Sequence, residues 1–509
     1  MTQRNAELAA LAAGGRTSFF GFLLRLAARF PFLFIAGRMY GTEALGRFAY
    51  AVLVVEFAAQ VATMGLKRGL AQQLSTSERN HSCDVWDAMI VCAVASLIAA
   101  GVLILLPQAM FPNSTLNGMD RLLPLIILPL AASDIALSAL AYRRDLAATV
   151  RARSVVEPWV LGLTAGGLAF VTTRDGLIIA YVVSIMAACL ASMIPLVKSF
   201  GFPPSDWSPR PGLIWGMARR NTPLAAADAI EWASRRIDIA ILGLFLSPSA
   251  VGIYWGAQQV ASLPQKLKTT FDPILAPVIT ESLGKGDRKA VARHIRQVAF
   301  WITAAQLMGL LMFGIPSVGV MGIIGPAFVM GAGALVVLLS AEVFASTGAV
   351  AESALIYVAR KRNMMISFGT IVLQAVLCAS LIALAQAEGL SVFWQMAAAA
   401  LGLLLALFAA SLAKAWLAER LLGGPVAGWR WTLVPAAGLA GAVGWAAVQY
   451  LPEWATMTVG MTAIAITYTA GLWIFAFGPE DRELFRLRRP PSEPAGPEPV
   501  LSDGSDASH

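Results

Sequence analysis

Charged residues are scarce in this chain, and so are the residues that build metal sites and disulfides. Only 13% of the 509 residues are charged, while 58% are hydrophobic and the mean hydropathy is +0.69. This composition excludes a soluble globular domain and predicts a polytopic membrane protein. The four cysteines show no CxxC spacing, and the three histidines fall in loops or at the C-terminus. We therefore expect no metal site and no cofactor.

Long apolar runs fill most of the sequence. A membrane-spanning helix needs about 20 mostly apolar residues, and on that rule the chain contains fourteen spans. They are expected at about 17–38, 47–66, 87–107, 122–142, 154–173, 177–197, 222–246, 250–272, 297–323, 330–357, 365–386, 391–413, 432–450 and 455–477. The first run is long and is followed by more of the same, so we expect a retained span and not a cleaved signal peptide.

The distribution of lysine and arginine predicts the orientation. With both termini in the cytoplasm, the inside segments hold 28 of the 38 Lys and Arg residues, and the outside loops hold four. The net charge of +8 follows mainly from this bias, which suits anionic membrane lipid and needs no nucleic-acid partner. The longest outside loop has about fourteen residues, too few for a folded catalytic domain.

Two short segments recur at nearly the same offset and indicate an internal duplication. GRMYGTEALGRF at 37–48 aligns without gaps with GLFLSPSAVGIY at 243–254, and SALAY at 138–142 returns as SALIY at 353–357. Chance similarity among apolar segments is the alternative. If the duplication holds, helices 1–6 and 7–12 form two halves that run in the same sense, an architecture typical of transporters.

The predicted fold is all-α, with about fourteen transmembrane helices in two parallel six-helix repeats plus two C-terminal helices. The predicted parts are a cytoplasmic N-terminus at 1–16, an N-lobe of helices 1–6 at 17–197, a cytoplasmic linker at 198–221, a C-lobe of helices 7–12 at 222–413, helices 13 and 14 at 432–477, and a cytoplasmic tail at 478–509. The tail is rich in proline and charge, which predicts disorder.

Two arginines lie inside the first span. Arg25 and Arg29 are four residues apart and therefore share one helix face. An arginine at a span centre costs roughly 2.5–3.5 kcal/mol on insertion scales, so we expect both to face a cavity and bind an anion. The alternative is pairing with acids of neighbouring helices; the candidates are Glu56, Asp134 and Glu157. Pro31 removes a backbone donor beside them and predicts a bend or hinge.

Helix 7 also carries charge. The spacing of Asp228, Glu231, Arg235 and Asp238 places them on one face of a continuous helix, while Arg236 points about 100° away. Such a face must meet water or the other half of the protein and not lipid. We expect Arg235 and Arg236 to add to an anion-binding cavity; a salt-bridge network without a ligand is the alternative.

Two regions resemble the signature segments of a known transporter superfamily. Residues 37–75 contain a glycine-rich turn before helix 2, and residues 235–280 repeat it with an Asp, ILG and the turn VGIY. Both are similar to the MOP exporter superfamily, and within it to the Wzx-type polysaccharide flippases and the lipid II flippases. The resemblance covers helices 1–12.

The resemblance implies transport of an undecaprenyl-pyrophosphate-linked oligosaccharide from the inner to the outer leaflet of a bacterial inner membrane by alternating access. The product would serve surface polysaccharide synthesis, such as O-antigen or exopolysaccharide, with a glycan polymerase as partner. It also implies that Arg25 and Arg29 lie in a central cavity, where we expect them, together with Arg235 and Arg236, to contact the pyrophosphate. Asp238 matches the family's acid on helix 7, and helices 13 and 14 are similar to two helices that guide the lipid tail.

Coupling to a cation is one role for the acids of helix 7: Asp228, Glu231 and Asp238. Helix 11 contains no carboxylate, unlike relatives that complete a sodium site there, and Gln374 is the strongly polar residue in its middle. The nature of the coupling ion therefore stays open.

Two other classes of protein compete with the flippase. A multidrug or cation antiporter of the same superfamily would share the fold, but arginines in the cavity disfavour cationic substrates. A polysaccharide polymerase or ligase would need a sizeable outer loop, and no catalytic motif stands in a credible context. We therefore expect a transporter and not an enzyme.

Overall fold

The computed structural model describes Leu24, Arg25, Asp481 and residues 27–205 and 207–478, and the regular structure within them is helical. The predicted N-terminal segment 1–16, the start of the first span and the tail beyond Asp481 lie outside the described residues. The predicted all-helical class is confirmed.

Helices occupy every predicted span within the described residues. Those before the central linker are α1 (27–40), α2 (Gly41–Ala62), α3 (Leu66–Thr76), α4 (His81–Leu105), α5 (Gly118–Tyr142), α6 (146–168) and α7 (Gly176–Phe200). Those after it are α8 (Pro211–Ser234), α9 (Ile237–Phe245), α10 (Pro248–Gly284), α11 (Arg288–Gly314), α12 (Ser317–Ile324), α13 (Ala332–Val358), α14 (Arg360–Ala387), α15 (Val392–Leu422), α16 (Leu433–Tyr450) and α17 (Glu453–Ala476).

Ten helical stretches in the described part of the chain are long and apolar enough to cross a membrane. One of them, Ala27–Thr76, merges predicted spans 1 and 2 because α1 continues into α2 through a π-helical turn at Ala36–Tyr40. Spans 5, 7 and 8 correspond to α6, α8–α9 and α10, which are helical but more polar or interrupted. The multi-pass character is thus shown, while the count of fourteen stays a prediction.

Local signals explain where these helices begin and end. The Asn80 side chain accepts a hydrogen bond from the backbone N–H of Ser82 at 3.0 Å and caps α4. Ser247 caps α10 in the same way, and Pro248 follows at the first turn, where its missing N–H costs nothing. Gly423 ends α15 with a φ of +71°, a conformation that glycine adopts without steric penalty.

The helices pack as two groups that meet along α2 and α10. Helices α2 to α7 contact one another, as do α10 to α15, and the contact between α2 and α10 joins the groups. Helix α8 packs on α2, α3 and α4 but also on α14, whereas α9 packs on α10, α14 and α15. Glycines at equivalent positions of the two repeat copies let α2 and α10 approach so closely that no side chain fits between them.

The central contact is formed by Gly46 of α2 and Gly252 of α10, which are equivalent in the repeat. A Cβ on Gly46 would lie 1.7 Å from the carbonyl oxygen of Pro248. A Cβ on Gly252 would lie 2.1 Å from the carbonyl oxygen of Thr42. Because Thr42 and Pro248 are also equivalent at the offset of 206, each copy packs its glycine onto the same place in the other. The Thr42 and Ser249 hydroxyls, 2.6 Å apart, add a hydrogen bond.

Helices α16 and α17 pack on each other and on α11. At one end, Asp481 accepts hydrogen bonds from the Arg430 guanidinium at 2.6 Å and the Trp301 indole at 2.9 Å. Burial raises the pKa of this carboxyl, but these hydrogen bonds and one from the Gly478 N–H outweigh it and leave the pKa below its usual range. The ion pair therefore helps to hold the C-terminal helices against α11.

Replacing Gly46 with alanine is expected to separate α2 from α10, because the added methyl group would collide with backbone and not with a movable side chain. Overpacking of this kind costs about 1–3 kcal/mol. Gly46→Ala should lower the thermal unfolding midpoint of the purified protein in detergent by several degrees.

The matched control is Gly101→Ala within α4, where a Cβ would meet nothing within 4 Å. It should leave the midpoint unchanged or raise it slightly, since alanine is the better helix former by roughly 0.5–1 kcal/mol. Equal midpoints for Gly46→Ala and wild type would contradict the close contact.

Candidate functional site

A cavity of about 1610 Å³ lies between the two helix groups. Helices α1, α2, α6 and α7 line it on one side, α8 to α10 flank it, and α11, α13, α14 and α15 line the other side. Its described lining contains more cations than acids. The cations are Arg25, Arg29, Arg68, Arg235, Arg236, Arg360, Lys361 and Lys414, and the acids are Glu56, Glu157, Glu231, Glu342 and Glu352.

Arg25 and Arg29 of α1 both line this cavity. Arg29 is partly buried, and its Nη2 donates a hydrogen bond to Ser262 Oγ of α10 at 3.0 Å. Within the described residues, neither guanidinium forms an ion pair. Pro31 lies inside the helical run of α1, five residues before the π-helical turn at Ala36–Tyr40, and its role as a hinge stays a prediction.

The acids expected as alternative partners of these arginines are bound to other cations. Asp134 and Glu157 both accept hydrogen bonds from Arg153, the latter at 2.7 Å. Asp134 also pairs with Lys67 at 3.3 Å. Since these carboxylates already have partners, the cations of α1 keep donors free for a ligand.

Glu56, the third expected partner, pairs instead with Arg236, whose guanidinium also lies over the Trp232 ring, 4.9 Å from its centroid. Arg235 has a weaker contact: its Nη2 is 3.9 Å from Glu231, and both side chains are half exposed. Arg235 and Arg236 both line the cavity, and Arg236 is already partly neutralised by Glu56.

The expectation of one continuous helix 7 with a single charged face is wrong. Helix α8 ends at Ser234 and α9 begins at Ile237, so the chain turns at Arg235 and Arg236. Helical spacing consequently does not carry across the break. Asp238 lies outside the cavity lining, fully buried, where it accepts hydrogen bonds from the Tyr254 hydroxyl at 2.7 Å and Gln258 Nε2 at 3.2 Å.

Asp228 and Glu231, the other acids of the predicted helix 7, both contact Arg68 of α3. Arg68 Nε lies 2.8 Å from Asp228 Oδ1, and its Nη2 lies 2.6 Å from Glu231 Oε2. Asp228 is buried, whereas Arg68 and Glu231 are half exposed. Gly65 and Gly69 permit this approach, because a Cβ on either would collide with Asn221 of α8.

The sequence analysis did not predict the residues that α11, α13, α14 and α15 contribute to the cavity wall. Lys414 of α15 is almost buried, and its Nζ lies 3.1 Å from Glu352 Oε2 of α13. The uncharged polar residues of this wall include Gln306 of α11. In the sequence, Lys414 stands directly after the predicted span 391–413. The rule that places spans by apolar length therefore assigns this lysine to a loop.

In the ranges 27–205 and 207–478, no three His, Cys, Asp or Glu side chains lie together in a way that could hold a metal ion. The cavity offers guanidinium donors on α1, at the α8–α9 break and at Arg360 of α14.

A family model described as "Polysaccharide biosynthesis protein" matches residues 20–283. A search of curated proteins finds no match.

Three solved structures are similar in fold. The lipid II flippase MurJ in an inward closed conformation has a TM-score of 0.69 at 10% identity, covering 93% of this chain and 100% of its own. An inward-facing multidrug resistance MATE family transporter of the MOP superfamily has a TM-score of 0.61 at 12% identity, covering 79% and 94%. A MOP superfamily transporter from Pyrococcus furiosus, described as having a binding pocket of reverse polarity, has a TM-score of 0.57 at 11% identity, covering 81% and 95%.

We expect the contact between Arg68 and Asp228 to couple α3 to α8 energetically. In a double-mutant cycle with Arg68→Gln and Asp228→Asn, the coupling in the free energy of unfolding should be at least about 1 kcal/mol, because Asp228 is buried. Denaturant titration of the purified protein in detergent measures it.

The control cycle uses Arg293→Gln and Asp287→Asn, a pair 3.8 Å apart with both side chains more than half exposed. Its coupling should stay below about 0.5 kcal/mol. A coupling no larger for Arg68 and Asp228 than for this surface pair would show that their contact does not couple α3 to α8.

Proposed function

Because the chain belongs to the family of polysaccharide biosynthesis proteins, we propose that it carries the lipid-linked units of a polysaccharide across the membrane. Its fold is that of the MOP superfamily, as the resemblance predicted. The proposed cargo is an undecaprenyl-pyrophosphate-linked oligosaccharide, moved from the inner to the outer leaflet of the bacterial inner membrane. A glycan polymerase would then use it for surface polysaccharide.

The observation that carries this proposal is the pair Arg25 and Arg29 on the cavity wall without an acidic partner among the described residues. A guanidinium keeps its charge, is weakly hydrated and presents a planar fork of donors that fits phosphate oxygens. A diphosphate would offer the counter-charge that neighbouring acids do not. Arg235 and Arg236 are proposed to contact the same group from the α8–α9 break.

The size of the cavity supports a large headgroup. Pockets for drug-sized ligands measure about 300–1,000 Å³, and this cavity of about 1610 Å³ exceeds that range. A diphosphate alone would leave most of the volume empty. An oligosaccharide attached to it would fill the remainder, while the lipid chain stays outside among the helices.

Transport by alternating access is supported by the way the two helix groups meet. We propose that two lobes, 17–197 and 222–413, rock about the cavity. The two C-terminal helices α16 and α17, predicted as helices 13 and 14, are attached to the second lobe. At the α1–α2 turn, Gly37 approaches Ile324 so closely that a Cβ would lie 2.4 Å from its carbonyl oxygen. The glycine contacts would close the outward side, while Arg360 and Lys361 line the cavity toward the opposite end.

Coupling to a cation or proton is proposed for the acids of α8 and α9, which together form the predicted helix 7. Asp228 and Glu231 bind Arg68, so a cation or proton at either carboxylate would compete with a contact between α3 and α8. Asp238 does not contact Arg68; it lies at the N-terminus of α9, where it accepts hydrogen bonds from Tyr254 and Gln258. Loss of its charge would change the packing of α9 on α10.

A multidrug or cation antiporter is the competing function, because MATE transporters share the fold. The excess of cations over acids in the described lining disfavours a cationic drug. An enzyme is disfavoured for a different reason: the similar folds belong to transporters and flippases.

We expect Arg25→Ala and Arg29→Ala to weaken transport, since each loses a charge-assisted contact to phosphate. Such a contact contributes about 1.5–3 kcal/mol, which corresponds to roughly 10- to 150-fold in affinity. The measurement is the rate at which a lipid-linked glycan becomes accessible outside proteoliposomes containing the purified chain. Arg→Lys at either site should restore only part of the rate, because the bidentate fork is lost.

The matched control is Arg121→Ala, which removes an exposed arginine that does not line the cavity. It should transport at the wild-type rate. If Arg25→Ala and Arg29→Ala are folded and equally active, the arginines do not hold the diphosphate and the proposed function loses its support.

A further inference from the structure

Polar, uncharged side chains are among the residues that α11, α13, α14 and α15 contribute to the cavity lining. We call the set Gln306, Ser346, Asn363 and Ser411 the polar wall; they belong to α11, α13, α14 and α15, and each lines the cavity. None of them belongs to the arginine cluster described above.

The two serines of the polar wall are used within the protein. Ser346 Oγ lies 2.6 Å from Thr303 Oγ1 of α11, and Ser411 Oγ accepts a hydrogen bond from the backbone N–H of Gly348 at 2.9 Å. These contacts bind α13 to its neighbours on both sides. They leave the hydroxyls with little capacity for a ligand but fix the wall in place.

The two amides of the polar wall are not used in this way. Gln306 is 3% exposed and Asn363 is 7% exposed, yet Gln306 Oε1 and Asn363 Oδ1 have no hydrogen-bond partner among the described residues. A buried amide oxygen without a donor is unfavourable, so a group that donates a hydrogen bond is expected to reach it. Both residues line the cavity, but the two oxygens are buried, so each side chain must rotate before its oxygen can accept a hydrogen bond from the cargo.

The cavity residues on this side also include the cations Arg360, Lys361 and Lys414. Lys414 is held by Glu352 at 3.1 Å. Acceptor oxygens of amides attract hydroxyl and N–H donors and repel phosphate oxygens. Hydroxyl groups are abundant on a glycan and absent from both a diphosphate and a prenyl chain.

We infer that the polar wall is a glycan-binding site, in which Gln306 and Asn363 accept hydrogen bonds from sugar hydroxyls or amides. The headgroup is thereby divided: its diphosphate lies against Arg25 and Arg29, and its sugars lie against α11 and α14. This inference rests on the proposed function and adds to it the residues that recognise the glycan.

The test compares two probes bound to the full chain in lipid nanodiscs. One is undecaprenyl diphosphate, and the other is the lipid-linked glycan that accumulates in cells from which this chain has been deleted. Wild type should bind the glycosylated probe more tightly. Gln306→Leu and Asn363→Leu should bind that probe about tenfold more weakly and undecaprenyl diphosphate as wild type does.

Gln374→Leu is the matched control. Gln374 of α14 is fully buried and its Oε1 and Nε2 also have no partner among the described residues, but it does not line the cavity. It should bind both probes normally. This comparison separates loss of a glycan contact from the general effect of replacing a buried amide.

Three results would overturn the inference. Wild type could bind the two probes equally, the Gln306 and Asn363 variants could bind the glycosylated probe normally, or they could weaken both probes alike. In each case binding of undecaprenyl diphosphate that depends on Arg25 and Arg29 would leave the proposed function standing. If wild type binds neither probe, the proposed function itself fails.

Discussion

A guanidinium ion within a bundle of membrane helices is stable only where an acid, a hydrogen-bonding group or water faces it. This requirement organises the centre of the molecule. Arg153 is held by Asp134 and Glu157, and Arg236 is held by Glu56. Among the described residues, Arg25 and Arg29 lie on the cavity wall without such acids, and the proposed anion site rests on this observation. The proposed roles of the other cavity residues depend on this positive charge without an acidic partner.

The two ends of the cavity are built from different interactions. At the α1–α2 turn, the helix groups approach through glycines, so closure depends on the absence of side chains at Gly46 and Gly252. Between α3 and α8, contact depends on Arg68 and its two carboxylates. Close packing is insensitive to charge, whereas an ion pair responds to protons and cations. An asymmetry of this kind suits a transporter whose two sides must open under different conditions.

Much of the fold could be predicted because apolar length and glycine spacing are local properties of the sequence. The helices and their multi-pass arrangement follow from such patterns, while the roles of Arg25 and Arg29 stay predictions. The break between α8 and α9 could not be predicted, since neither proline nor glycine marks it at Arg235 and Arg236. Helical spacing therefore placed Asp238 on the wrong face.

Partners across helices were also beyond the sequence. The pairing of Arg68 with Asp228, of Arg236 with Glu56 and of Lys414 with Glu352 depends on how helices distant in sequence are rotated against each other. The polar wall was missed for a related reason: a single amide such as Gln306 in an apolar helix carries no periodic signal. Only packing shows that it lines the cavity.

The most direct measurement is a structure of the full chain in lipid nanodiscs bound to its lipid-linked glycan, resolved well enough to place phosphorus atoms. We expect phosphate oxygens within hydrogen-bonding distance, about 3 Å, of the guanidinium groups of Arg25 and Arg29. A headgroup bound elsewhere, with both arginines paired to acidic side chains, would contradict it.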